Sequence, residues 1–366
     1  KIHREKVKEI LKSLDIVSLN DIPDGLELAV PPYRADVTRE IDVIEEVLRI
    51  YGYNKVDAPQ KISFTPVKLS LEDQDALENS WARTLQSNGF NEVMNNSLTS
   101  VKDETHAVKL LNPLSTELSF MRKSLLEGLL ENAIYNINRK NQDIKFFELG
   151  KIYHKKAKYE ERKQLAILTS GRNYSENWLM PKSSTDFYTL KSFVNILLGK
   201  LNLETEEVSL EDERFSDALE IVSAGKTIAR LGKVSPKLLK DFDIEQECFY
   251  AEIELETAQQ LRSKDNFKFV DIPKFNKIRR DLALLVDKNV TYAALYKMAK
   301  KNPSKYLKNI NLFDVYEGKN LPEGKKSYAL SFELLNEEKT LEEKEITSVM
   351  DSLIKNFKKE FNAELR

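Results

Sequence analysis

Between residue 279 and the C-terminus the hydrophobic period of the chain switches in an order that few folds accept. RRDLALLVD (279–287) reads as a strand, YAALYKMAKK (292–301) as a helix, and INLFDVYEG (310–318) and SYALSFELL (327–335) as two further strands. In the last of these Tyr328, Leu330, Phe332 and Leu334 alternate strictly onto one face. Ile346, Val349, Leu353 and Phe357 then recur at helical spacing within 341–361, and a short strand, AELR, closes the series. The order β-α-β-β-α-β is that of the ferredoxin-like split βαβ sandwich, whose helices cover one sheet face and leave the other open to a ligand.

At 366 residues the chain is too long for one ordinary core and predicts two or three domains. Residues 1–58 read as a small unit: a helix from Arg4 to Leu14, a strand around Leu26–Val30, a break at Pro31-Pro32 and an acidic helix. The first helix has little before it to cover Val7, Ile10 and Leu11, so the chain is expected to be the later part of a longer protein. An extended linker, punctuated by Pro59 and Pro66, follows. The middle region begins with a helix over Glu72–Ser87 that stops at Asn88-Gly89. A helix within 121–140, a strand IKFFELGKIYH (144–154), a strand 165–171, a helix 187–201, a strand pair 219–235 and YAEIEL (250–255) come next. Helices interleaved with antiparallel-style strands make the fold class α+β.

Charge is unevenly spread. From Pro273 onward there are 19 Lys and Arg against 14 Asp and Glu, a net of +5 in a chain whose total is −2. A basic C-terminal quarter suits phosphate, and equally a lysine-rich solvated surface. In the segment RADVTREIDVIEEVLRIYGY (34–53), Asp42, Glu45, Glu46 and Arg49 share one helical face, Asp36 lies just upstream, and Val43, Val47 and Ile50 form the expected buried stripe. Like charges at these spacings cost a few tenths of a kcal/mol each. The carboxylates therefore either serve a cation or form a solvated face partly paired by Arg39 and Arg49. One cysteine, Cys248, excludes an internal disulfide framework and fits a reducing, cytoplasmic setting. No apolar run is long enough for a membrane span. GxxxxGK[ST], GxGxxG, HExxH and GxSxG motifs are all missing, and His3, His106 and His154 lie far apart, so no independent catalytic machinery is apparent.

Four stretches together resemble one family. VPPYRADVTREIDVIEEVLRIYGYNKV (30–56), the helix–Gly–Phe–x–Glu–Val turn at 88–93, LLNPLSTELSFMRKSLLEGLLENAIYN (110–136) followed by FFELGKIY (146–153), and PKFNKIRRDLALLVD (273–287) are similar, in order, to the beta subunit of bacterial phenylalanyl-tRNA synthetase. The resemblance implies part of a small domain at 1–58, a class II synthetase-like but catalytically inactive core at 60–265, and a ferredoxin-fold anticodon-binding domain at 273–366. It also implies that N-terminal RNA-binding and editing domains of the family are missing from this chain. On the resemblance, Asp36, Asp42, Glu45 and Glu46 are magnesium ligands shared with an alpha subunit. The partners implied are that alpha subunit, in an (αβ)2 heterotetramer, and tRNA(Phe).

ATP is then a substrate of the complex, with adenylation on alpha. This chain fits that division, because it has no G-x-G-x-G-x-R arginine to clamp a triphosphate. The helix over Glu72–Ser87 resembles motif 1, a subunit-interface element. For the basic module, Lys274, Lys277, Arg279 and Arg280 surround Phe275 and are the expected tRNA contacts, phosphate plus stacking; alternatively Arg279 and Arg280 flank an edge strand. The rival functions are a stand-alone nucleic-acid-binding module and an independent ATP-dependent ligase.

Overall fold

The structure, a computed structural model, describes residues 2–57, 61, 63–65, 74–101, 104–179, 181–262, 269, 271–301, 304–318 and 321–366. The chain forms two compact units, Lys1–Glu72 and Asp73–Arg366. Pro59 and Pro66, which punctuate the expected linker, lie outside the described residues, as does the expected helix start at Glu72.

In the first unit, α1 (Arg4–Ser13), the hairpin β1 (Val17–Ile22) and β2 (Gly25–Ala29), and α2 (Glu40–Tyr51) enclose Ile10, Leu11, Ile16 and Val47. The strand β1 escapes sequence reading because it has no buried face: five of its six residues are exposed, and it is held by backbone pairing from Val17↔Ala29 to Ile22↔Gly25. The stripe expected on α2 needs correction. Val43, Val47 and Tyr51, a row at i, i+4 and i+8, meet the core, while Ile50 lies beside that row and is 47% exposed. Gly52 ends the helix at φ +99, a conformation that disfavours residues with a Cβ.

The second unit starts with α3 (Gln74–Ser87), β3 (Asn91–Glu92), β4 (Leu98–Thr99), β5 (Val108–Lys109), β6 (Phe120–Met121) and α4 (Leu126–Ile137). It continues through β7 (Ile144–Lys155), β8 (Tyr159–Ser170), α5 (Phe187–Gly199), β9 (Glu206–Ser209), β10 (Phe215–Ser223), β11 (Lys226–Val234), α6 (Pro236–Asp241), β12 (Cys248–Glu254) and α7 (Leu255–Leu261). Seven strands form one sheet in the order β3-β7-β8-β12-β11-β10-β9, antiparallel except where β3 meets β7. Trp81, Leu85, Leu190, Val194 and Ala258 from α3, α5 and α7 pack on one face, over Leu165, Ile167 and Ile253. Leu126, Leu129, Leu130 and Leu239 from α4 and α6 pack on the other, over Phe146, Leu168 and Tyr250. The helix expected within 121–140 begins only at Leu126. Met121 pairs instead with Leu98 and Val108 in a three-stranded sheet, and Arg122 turns into the core. YAEIEL ends as a strand at Glu254, and Leu255 opens α7.

The remaining elements are β13 (Ile278–Asp287), α8 (Tyr292–Lys300), β14 (Leu307–Tyr316), β15 (Lys325–Leu334), α9 (Glu343–Phe361) and β16 (Glu364–Leu365). They form an antiparallel sheet ordered β14-β15-β13-β16, the ferredoxin-like arrangement expected from the switch of periods. Leu284, Val286, Leu330, Phe332 and Leu334 bury their side chains against Leu295 of α8 and Val349, Leu353 and Phe357 of α9. Asn362, left-handed at φ +48, stops α9 so that β16 can turn back along β13. Phe332 is fully buried, its ring 6.2 Å from that of Phe357. Phe332→Ala should cost ~3–5 kcal/mol, read as a lower urea midpoint for the unfolding of this sheet.

Candidate functional site

Among the described residues, three groups of charged side chains bear on what the chain can bind. The first runs across the seven-stranded sheet. Strand register aligns Glu148, Ala166, Glu252, Arg230 and Glu220 in one transverse row on the face that carries α4 and α6. At one end the Arg122 side chain reaches Glu148, which is 1% exposed, with Nη1 2.6 Å from Oε1; its Nε donates to the Lys151 carbonyl at 2.9 Å. Asn95 donates to Glu148 Oε2 at 2.8 Å and accepts from Asn132 at 2.6 Å. Gly150 leaves the room this requires, since a Cβ there would run into the Arg122 guanidinium and approach Leu125 Cδ2 to 2.9 Å.

Further along, Arg214 forks onto Asp212 and, at 3.0 Å through both terminal nitrogens, onto Glu252. Burial opposes the charge on Arg214, but Glu252 and Asp212 hold its pKa above the ordinary value. Arg230 donates to Glu220 at 2.9 Å, and the Tyr250 hydroxyl, pushed to high pKa by burial, donates to Glu252 at 3.2 Å. Arg122, Arg214 and Arg230 are thus all bonded to carboxylates of their own chain. The row offers none of them to a phosphate.

The second group is the open face of the C-terminal sheet. Register places Arg279, Asp281, Ala283 and Leu285 of β13 beside Glu333, Ser331, Ala329 and Ser327 of β15, and Asn309, Asn311, Asp314 and Tyr316 of β14 on their far side. Arg279 pairs with Asp281 at 2.8 Å and lies 5.1 Å from the centre of the Phe313 ring; Arg366 lies 5.0 Å from that of Tyr316. Short serines and alanines form the floor between these two cation–aromatic pairs. Lys277 bonds Glu333 at 3.3 Å, and Lys274 is exposed with no ion pair among the described residues. Alternation along β13 separates Arg279 from Arg280: Arg280 reaches Glu343 at the start of α9, at 2.9 Å. The four basic residues expected to act together therefore divide between two sides of the sheet. Phe313, Tyr316 and Arg366 were not singled out from the sequence; the aromatics of INLFDVYEG were the available signal. Much of the surplus positive charge, including Lys300, Lys355, Lys358 and Lys359, is exposed on the helices.

The third group is the acidic helix. Pro31 and Arg34 set a turn through Arg34 N to Pro31 O, 3.0 Å, and Val37 N to Arg34 O, 3.1 Å. Asp42, at the third position of α2, accepts from the backbone N–H of Arg39 at 2.8 Å and of Thr38 at 3.0 Å, and pairs with the Arg39 side chain at 3.1 Å. Glu46 bonds Arg49 at 2.6 Å and Arg34 at 3.1 Å, and Asp36 takes a two-point bond from Arg34. Arg39 and the backbone groups keep Asp42 below the ordinary carboxylate pKa; Arg34 does so for Asp36, and Arg49 with Arg34 for Glu46. Glu45 is exposed, with no hydrogen bond or ion pair among the described residues.

No three acidic, histidine or cysteine side chains gather as a metal would require among the described residues. The oxygens of Asp36, Asp42 and Glu46 face guanidinium and N–H donors, so the residues of this chain do not fit a resident magnesium ion in this arrangement. No described helix is long and apolar enough to cross a membrane.

Comparison with known protein families gives three matches along the chain. Residues 1–53 match the tRNA synthetase B5 domain family, 59–255 the family of the phenylalanyl tRNA synthetase beta chain CLM domain, and 273–366 the ferredoxin-fold anticodon binding domain family. The chain is 42% identical over 385 residues to a phenylalanine–tRNA ligase beta subunit of Bacteroides thetaiotaomicron, covering 99% of this chain and 47% of that protein. It is 37% identical over 391 residues to the corresponding protein of Porphyromonas gingivalis (100% and 47% covered) and 32% identical over 358 residues to that of Listeria monocytogenes (94% and 44%). The chain therefore spans about half the length of the curated relatives it matches.

Two outcomes follow from the geometry. Glu148→Gln leaves the Arg122 guanidinium buried without its counter-charge and should destabilise the second unit by ~3–5 kcal/mol in chemical denaturation. In the first unit, the depressed pKa values of Asp36, Asp42 and Glu46 mean that the ionised carboxylates favour the folded state. That contribution is complete above the ordinary carboxylate range and is lost as pH falls through that range and then through the depressed values. Melting followed by helix signal across this range should show it, and the triple variant Asp36→Asn, Asp42→Asn, Glu46→Gln should flatten it.

Proposed function

The chain belongs to the phenylalanyl-tRNA synthetase beta-chain family, and from that premise we propose that it is a non-catalytic beta-subunit segment of a cytoplasmic phenylalanine–tRNA ligase. In this reading it works in an (αβ)2 assembly, the alpha subunit activates phenylalanine with ATP, and the present chain contributes scaffold and tRNA(Phe) binding. Its modules are residues 1–58, 60–265 and 273–366. The observation that carries the reading is the row of arginines closed off by carboxylates: Arg122, Arg214 and Arg230 are bonded to Glu148, Glu252 and Glu220. A triphosphate at that face would meet three carboxylates whose counter-charges are already supplied, so the sheet supports helices and has no clamp for ATP.

The RNA-binding part of the reading is supported by the open sheet of the C-terminal domain. Arg279 over Phe313 and Arg366 over Tyr316 are amphipathic platforms on which an unpaired base can stack, with Lys277 and Lys274 beside them for backbone phosphates. Exposed ion pairs such as Arg279–Asp281 are weak enough to exchange for RNA. No step is assigned to magnesium on the acidic helix, because the arrangement of its carboxylates does not fit the ion. A stand-alone binding module has less support, since the relatives named above are ligase beta subunits.

The test uses the purified chain with and without the alpha subunit. Alone it should give no phenylalanine-dependent pyrophosphate exchange; exchange by the chain unaided would overturn the reading. In tRNA(Phe) binding, Phe313→Ala should weaken affinity by ~1–3 kcal/mol, the usual worth of one stacked base. Lys277→Ala with Arg279→Ala should lower the salt dependence by about one unit of slope or more. Affinity unchanged in all of these across a salt series would reject this face.

A further inference from the structure

The disagreement between the acidic cluster and a metal centre points to what occupies the cluster instead. Asp36 lies in the turn before α2 and Glu46 one turn from the end of it, yet both carboxylates reach the same guanidinium. Arg34 Nε and Nη2 lie 3.2 and 3.1 Å from the two oxygens of Asp36, and Nη2 also lies 3.1 Å from Glu46 Oε1. The Arg34 side chain is 18% exposed and that of Glu46 14%, so this cation is held inward, not waving in solvent. Arg34 also belongs to the turn itself through its backbone bonds to Pro31 and Val37.

A planar guanidinium satisfies two carboxylates at hydrogen-bond distance. Magnesium needs oxygens at ~2.0–2.1 Å in octahedral geometry and usually retains water. Both cannot stand between Asp36 and Glu46 at once.

We propose that Arg34 is a built-in counter-ion that keeps the acidic cluster folded without metal, and that a divalent cation binds Asp36 and Glu46 only by expelling the Arg34 guanidinium. Glu45, exposed and unpaired among the described residues, and Asp42, tied to the start of the helix, contribute to such an ion only after that displacement. The inference stands on the geometry of residues 31–49 and is independent of whether the chain serves a ligase.

The experiment uses the full chain. Mn2+ is titrated in place of Mg2+ and the free-ion signal is followed by electron paramagnetic resonance, alongside melting with and without millimolar MgCl2. The wild-type chain should leave the Mn2+ signal essentially undiminished and melt at the same temperature in both buffers. Arg34→Ala should melt lower without metal, regain stability when MgCl2 is added, and take up one equivalent of Mn2+, an uptake abolished by adding Asp36→Asn. Should the alanine variant not fold without metal, Arg34→Gln with Glu46→Gln, which removes one opposing charge together with the cation, tests the same point: it should fold and bind Mn2+ through the remaining carboxylates more weakly than Arg34→Ala refolded in MgCl2. Stoichiometric Mn2+ binding by the wild type, lost in Asp36→Asn, would overturn the proposal. So would an Arg34→Ala chain that folds and shows no cation-dependent gain. Failure of either kind leaves tRNA binding and pyrophosphate exchange untouched, so it is distinguishable from failure of the functional reading.

Discussion

A carboxylate and a guanidinium withdrawn together from water govern what the central sheet can be. Glu148 is 1% exposed, and the Arg122 side chain beside it is 10% exposed. Removing two such charges from solvent costs several kcal/mol per ion unless every remaining lone pair and proton finds a partner. The surroundings are arranged to that end: Asn95 donates to Glu148 and is itself held by Asn132, the Lys151 carbonyl takes another Arg122 proton, and Gly150 has no side chain to obstruct the path. Arg122 lies in the segment just before α4, so its bond to Glu148 links that segment to β7.

Repeated along the row by Arg214 with Glu252 and Arg230 with Glu220, this pairing decides the division of roles within the chain. A low-dielectric face whose cations already have fixed partners has no positive charge to lend to an incoming phosphate. Only charges near water remain exchangeable. On the open C-terminal sheet Arg279, Asp281, Lys277 and Glu333 form solvent-screened pairs, which an RNA strand can displace at little cost. Arg34 in the first unit stands between these extremes, partly shielded and bonded to Asp36 and Glu46 together.

How legible each part was depends on how local its cause is. Helix α9 and strand β15 could be read directly, because their apolar residues repeat at one period and pack on one core. β1 could not, since none of its residues is buried and its pairing with β2 is a matter of backbone hydrogen bonds. Met121 looks helical in the run that follows it, but its partners Leu98 and Val108 are distant in sequence. At the candidate interface Lys277 and Arg279 were visible as basic residues, whereas Arg366 joins Tyr316 only because β16 returns along β13 after the helix.

From the residues alone came the α+β class, the ferredoxin-like order of the last strands and helices, the absence of a phosphate-binding motif, and a family resemblance that the comparisons bear out. These follow from periodicity and short motifs, which are properties of neighbours along the chain. Which charges are free and which are already neutralised was decided only by tertiary structure. An arginine reads the same in sequence whether it faces water, as Arg279 does, or a buried carboxylate, as Arg122 does. The difference lies in the partner and the dielectric, and both arrive with the folding of segments far apart in sequence.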